Sequence, residues 1–221
     1  YNYRVEFQVR GAPDVHGALW INYKRMEKDI PGITECMANL QHLKCLTNEH
    51  CCIVAAFVDK FTSCSLCNQQ VANKVREVQI HKHTRTCYKK GDTSRFHFPK
   101  YPSEETIVAQ PLERDQFSSG TEYDVAKDQH QRSLNAVKCA LNELKEEEYN
   151  SISLDEILKK AGILKSDYYT ALPVSTRGTV IVFKRTIREI FVNNYNAEWL
   201  NARNTSAFGL LWHYHIYHRL L

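Results

Sequence analysis

Two groups of residues in this sequence combine side-chain types and spacings that could do chemistry. The first is built on cysteine and histidine. Cys64 and Cys67 form a C-x-x-C pair, and His81, His83 and Cys87 follow as H-x-H-x-x-x-C. Cys64, Cys67, His83 and Cys87 would satisfy a tetrahedral zinc ion with thiolate and imidazole donors, the stretch between them forming a finger-like loop. An isolated C-x-x-C is common, and the trailing H-x-H-x-x-x-C makes this one more specific. Buried thiols beside surface histidines would read the same way in sequence. A zinc ion here would rigidify the segment and present Lys82, Arg85, Lys89, Lys90 and Arg95 to phosphates, with Phe96 available to stack on a base.

The second group lies near the start. From Tyr3 to Val9 apolar and polar residues alternate, so Arg4, Glu6, Gln8 and Arg10 share one face of a strand. After Gly11-Ala12-Pro13, Asp14, His16, Ala18 and Trp20 share a face of the next. A regular hairpin closed by that loop puts Arg10 opposite Asp14 and Gln8 opposite His16, with Glu6 diagonal to His16. Glu6, Gln8, Asp14 and His16 would then converge with oxygen and imidazole donors, a set that suits Mg²⁺ or Mn²⁺ better than structural zinc. A solvent face that happens to carry polar residues gives the same pattern.

These groups need elements to position them. Residues 23–61 read as mixed and mostly helical, with a short buried piece at 54–57. Residues 62–102 are rich in Cys, His and basic side chains and read as irregular, with a boundary near 101–112. Leu134, Val137, Leu141 and Leu144 recur at helical spacing. The acidic run Glu146-Glu147-Glu148 reads as a solvated helix end. Ser153 and Glu156 spell a capping box, and Gly162 stands where a helix-ending glycine belongs, giving a helix over 153–161. A short helix is expected at 168–172, a buried strand at 179–183 and another helix at 186–201. Residues 153–182 also fit a helix-turn-helix with a β wing, which would bring Tyr168, Tyr169 and Arg177 to a DNA backbone. Two core helices beside a strand account for the same pattern, and Lys184, Arg185 and Arg188 suit either.

Composition narrows the class. An apolar share of 43% and a charged share of 24% over 221 residues are those of an ordinary globular chain able to bury a core. The net charge of +4 permits a nucleic-acid partner without demanding one. The basic residues nevertheless cluster at 82–95 and 177–188. No signal peptide and no apolar run of membrane-spanning length is present, so no membrane partner is expected. Eight cysteines without secretory signals point to a reducing compartment, nucleus or cytoplasm, rather than to a secreted disulfide scaffold. Tyr1 stands in mid-pattern, so upstream sequence is expected.

Against this background, the stretch Val5-Glu6-Phe7-Gln8-Val9-Arg10-Gly11-Ala12-Pro13-Asp14-Val15-His16-Gly17-Ala18-Leu19-Trp20 resembles the metal-binding motif of Helitron replication initiators, which are HUH endonucleases. Two later stretches resemble the same family in the same order. One is His81-Lys82-His83-Thr84-Arg85-Thr86-Cys87 with Ser94-Arg95-Phe96-His97-Phe98-Pro99-Lys100. The other is Asn193-Asn194-Tyr195-Asn196-Ala197-Glu198-Trp199-Leu200. The resemblance implies a divalent cation that polarises a scissile phosphate, attacked by a tyrosine to leave a 5′-phosphotyrosine. His16 matches the second histidine of the HUH pair and Asp14 stands where the first belongs. Ser94 replaces an expected cysteine, and Tyr195 is not the family's nucleophile. Beyond Asn204 the likeness ends, so no catalytic tyrosine motif is identified. His213-Tyr214-His215 spells His-aromatic-His without the surrounding context and reads as an apolar tail. No G-x-x-x-x-G-K-[ST] is present, so the helicase module expected in the full-length parent lies outside this chain.

The expected architecture is therefore α+β: an antiparallel sheet with an HUH-type metal hairpin, a Cys/His-rich insertion and surrounding helices. Residues 1–61 form a partial core, 62–102 the basic Cys/His segment, 103–204 a helical region lending one strand to that core, and 205–221 a tail. The expected partner is single-stranded DNA, bound with Mg²⁺ or Mn²⁺ and Zn²⁺, with little or no nicking by this chain. The alternatives are a non-catalytic zinc-stabilised nucleic-acid-binding module or a decayed transposon reading frame.

Overall fold

The computed structural model describes residues 2–7, 13–18, 23–41, 46–83, 87, 94, 96–175 and 178–202. The tail expected at 205–221 and its His213-Tyr214-His215 lie outside them. Strands β1 (Asn2–Phe7) and β2 (Pro13–Ala18) pair antiparallel. Glu6 lies opposite Asp14, and Arg4 opposite His16. The expected register differs: Asp14 faces position 6 instead of position 10. The offset is even, so strand parity is kept and residues 4, 6, 14 and 16 remain equivalent positions of the pleat.

Helices α1 (Tyr23–Met26), α2 (Ile33–Gln41) and α3 (Asn48–Phe61) follow. The Glu27 carboxylate accepts from the backbone N–H of Gly32 at 2.6 Å and of Thr34 at 3.0 Å, satisfying donors at the start of α2. Thr47 caps α3 by accepting from His50 N. Val54, Phe57 and Val58 line the buried stripe of α3 and pack with Ile30, Ile33 and Met37. A short helix, α4 (Ala72–Val78), interrupts the otherwise irregular Cys/His segment.

Within the stretch read as a boundary the chain forms strand β3 (Ile107–Pro111). Beyond it come the long helix α5 (Gly120–Asn142), then α6 (Leu154–Ala161), α7 (Lys165–Ala171), β4 (Val174–Ser175), β5 (Val180–Val182) and α8 (Ala197–Ala202). β3 is the centre of a three-stranded mixed sheet, parallel to β4 and antiparallel to β5. The strand read at 179–183 therefore pairs with β3 rather than with the N-terminal hairpin, which forms a separate two-stranded sheet. The single antiparallel sheet expected from the sequence is replaced by this division. The cause is β3 itself: Val108 and Ala109 are buried, and the Gln110 side chain bonds both N and O of Leu46, closing the strand against the entry to α3.

The second core joins α5, α6 and α7 through Leu134, Val137, Leu141, Ile157, Leu158 and Tyr168. Helix α6 has the capping box of Ser153 and Glu156, and Gly162 ends it at φ 68°, a left-handed conformation that suits a residue without Cβ. Tyr168 has no exposed surface and donates its hydroxyl to Pro102 O at 2.7 Å, so it cannot reach a DNA backbone as the helix-turn-helix reading required. Arg177 lies outside the described residues. The arrangement is two core helices beside a strand.

The helix expected over 186–201 is also revised. Only a 3-10 turn, Ile187–Glu189, and the short α8 form there. Between them the side chains of Asn193, Asn194 and Asn196 bond partners on distant segments, Gln79, Cys64 and Phe61, competing with a local helix for those polar groups.

Candidate metal centre

The Cys/His segment is positioned by an antiparallel seam with residues 190–196. Ser63 bridges to Tyr195 and Ile80 to Val192. Asn193 N and Nδ2 both donate to Gln79 O, at 2.7 and 3.1 Å. His81 N donates to Phe191 O at 2.7 Å, which fixes the first histidine's backbone at the end of the seam. The ring of His81 stacks on Phe98, with centroids 4.3 Å apart and planes 8° apart. Phe98 is brought there by a turn in which His97, at φ 59°, donates its N–H to Ser94 O.

At this point three ligand-bearing side chains meet. The donor atoms of His81, His83 and Cys87 all lie within 4.8 Å of one another, so the group could hold a metal ion. His81 Nε2 is 3.4 Å from Cys87 Sγ, close to the roughly 3.5 Å edge expected between N and S ligands of tetrahedral zinc. Ser94 Oγ lies 3.0 Å from the same sulfur, and Cys87 and Ser94 are both buried. His83 faces solvent. Burial, with smaller contributions from His83 and Lys100, pushes the His81 pKa down to about 4. Burial, then Lys138, lowers that of His83. Both imidazoles are thus neutral at physiological pH, the form that donates a lone pair to a metal.

Two lysines frame the site without joining it. Lys100 Nζ donates to Phe96 O at 2.8 Å and lies 4.9 Å over the Phe98 ring. Lys138 Nζ donates to His97 O at 2.8 Å and to Pro99 O. Burial is the main cause that brings both lysine pKa values down to about 8.

The set expected from the sequence was Cys64, Cys67, His83 and Cys87; the set brought together has His81 in place of the C-x-x-C pair. Cys64 serves elsewhere. Its thiol donates to Asn194 Oδ1 at 3.0 Å and accepts from Arg185 Nη2 at 3.1 Å, and burial pushes its pKa up to about 11. A guanidinium against the sulfur opposes a dication there. Cys67 is exposed, its N–H bonded to Ser65 Oγ. His81 carried a sequence signal, since residues two apart on an extended chain point the same way. Ser94 had none of its own as a ligand type.

A cleft of about 760 Å³ opens beside Cys64, Cys67, Ser103 and Thr186. Arg185 and Glu189 in its wall are internally committed. Arg185 donates to Glu189 O, Val192 O, Cys64 Sγ and Asn194 Oδ1, while the Glu189 carboxylate accepts from Leu66 N and Thr186 N. Tyr195, 2% exposed, donates its hydroxyl to Ser65 O at 2.5 Å, a structural placement that leaves it no access to a phosphate.

Of the expected DNA-contacting residues, Lys82 is exposed and Phe96 is half-buried, its ring edge-on to His81 at 5.7 Å. Arg85, Lys89, Lys90 and Arg95 lie outside the described residues. In the hairpin, Glu6, Asp14 and His16 occupy described strand positions, and Gln8 lies outside the described residues. No described helix is long and apolar enough to cross a membrane. Comparison with known proteins yields no matching family model, curated protein or solved structure.

Proposed function

We propose that this chain binds single-stranded DNA as part of a Helitron-like rolling-circle initiator, with a zinc ion on His81, His83 and Cys87 stiffening the basic segment that holds the strand. The observation that carries this reading is the convergence of those three donors beside exposed Lys82 and the half-buried ring of Phe96. Phosphates would meet the lysine and a base the aromatic, the usual division of labour on single strands. The hairpin adds support for the nickase lineage. Positions 6 and 14 stand opposite each other in the strand register, so the nickase reading would have Glu6 and Asp14 share a divalent cation, with His16 two positions along.

The second reading is a zinc-stabilised nucleic-acid-binding module with no hairpin metal, favoured by the same His/Cys group. One set of measurements separates them. Both readings expect one zinc per chain, lost in Cys87→Ala, and binding to a fluorescent oligonucleotide that weakens as salt rises. Lys82→Ala should flatten the salt dependence by about one unit of slope. The initiator reading also requires Mn²⁺ binding abolished by His16→Ala. Zinc binding alone would leave the module, and failure to bind single strands at low salt would sink both.

A further inference from the structure

Ser94 Oγ is 3% exposed and lies 3.0 Å from Cys87 Sγ, a buried oxygen at the edge of the three-donor group of His81, His83 and Cys87. We propose that Ser94 is the fourth corner of this centre, and that as a weak neutral donor it makes the zinc exchangeable rather than permanent. The inference rests on the zinc reading of the other three residues. Its chemistry is direct. Sites that hold zinc as part of the fold use four strong donors, thiolate or imidazole, while three strong ligands leave one position to a displaceable oxygen. The turn that places Ser94 is independently built, from His97 N–H to Ser94 O and from Phe96 N–H to Ser94 Oγ, so the corner is held by backbone rather than by the ion. One thiolate and two neutral imidazoles leave the centre with a net charge of +1. Lys100, whose Nζ lies 4.9 Å over the Phe98 ring, and Lys138, which donates to His97 O, add no compensating anion nearby and weaken retention further.

The test is cobalt and zinc titration of the full chain in four forms: unchanged, Ser94→Cys, Ser94→Ala and Cys87→Ala, with circular dichroism reporting that each is folded. The unchanged chain should take one Co²⁺ with the charge-transfer band of a single thiolate and surrender it readily to a chelator. In Ser94→Cys that band should roughly double, and affinity should rise by about tenfold or more, because a thiolate replaces a hydroxyl. Ser94→Ala should bind within about threefold of the unchanged chain. If Ser94→Cys leaves band and affinity as they were while Cys87→Ala still abolishes binding, the fourth corner is elsewhere and this inference fails with the zinc reading intact. Loss of metal in Ser94→Ala would make the serine a strong ligand and overturn exchangeability. Absence of a Cys87-dependent band in every form would remove the zinc reading and this inference together.

Discussion

His81 shows how one residue's surroundings set its chemistry. Its ring, stacked on Phe98, is partly withdrawn from water, and that burial, with smaller contributions from His83 and Lys100, disfavours the imidazolium and prepares a neutral donor. The same feature has a cost in acid. The folded-state pKa of about 4 lies below the ordinary value near 6.5. Between those limits the unfolded chain takes up a proton that the folded chain refuses. Stability of the metal-free protein should therefore be fully present above about pH 6.5 and decline as pH falls toward 4. Urea denaturation across that range checks it, and His81→Phe, which keeps an aromatic on Phe98, should make the decline shallower. An unchanged slope would show that the imidazole is as accessible to protons folded as unfolded.

At the level of elements, local rules were readable in α6, which carries its own punctuation, whereas the caps at Thr47 and Ser119 went unread. Helix α6 formed with the expected cap and terminal glycine because Ser153, Glu156 and Gly162 act on their immediate neighbours. Losing that cap in Ser153→Ala should cost about 1 kcal/mol, read as a lower urea midpoint without change in slope. Elements whose identity depends on distant partners were not readable. β3 was hidden in the stretch read as a boundary, because its prolines and polar flanks mask a strand that exists through Gln110 and Leu46. Residues 186–201 looked helical by periodicity, yet their asparagines are spent on segments more than 100 residues away, including Asn194 on Cys64 and Asn193 on Gln79. The metal group was legible in part: spacing flagged His83 and Cys87, whereas replacing the C-x-x-C pair with His81 and placing Ser94 beside the thiol required the fold.

Across the whole molecule, Arg185 ties the seam together. Buried at 4% exposure, it bonds two carbonyls near the end of the described chain, a thiol from the Cys/His segment and an asparagine side chain. Replacing it by Met would leave those acceptors without partners in a dry setting. A loss of about 3 kcal/mol or more follows, since hydrogen bonds to a charged donor are worth about 1.5–3 kcal/mol and several go at once. Equilibrium unfolding should register it, and zinc affinity should fall as well, because the seam that holds His81 ends at Phe191. A variant that unfolds at the same midpoint would show that this network contributes nothing net.

That seam also imposes an order on events during synthesis. The ribosome makes His81 and Cys87 long before Phe191, Asn193 and Tyr195, the residues whose backbone and side chains dock this segment. While the intervening stretch is still being translated, the thiol and imidazoles have no scaffold to converge on, and a nascent chain would offer them singly to any passing ion or oxidant. If the centre takes a metal ion, secure loading therefore waits until the far partner has left the exit tunnel.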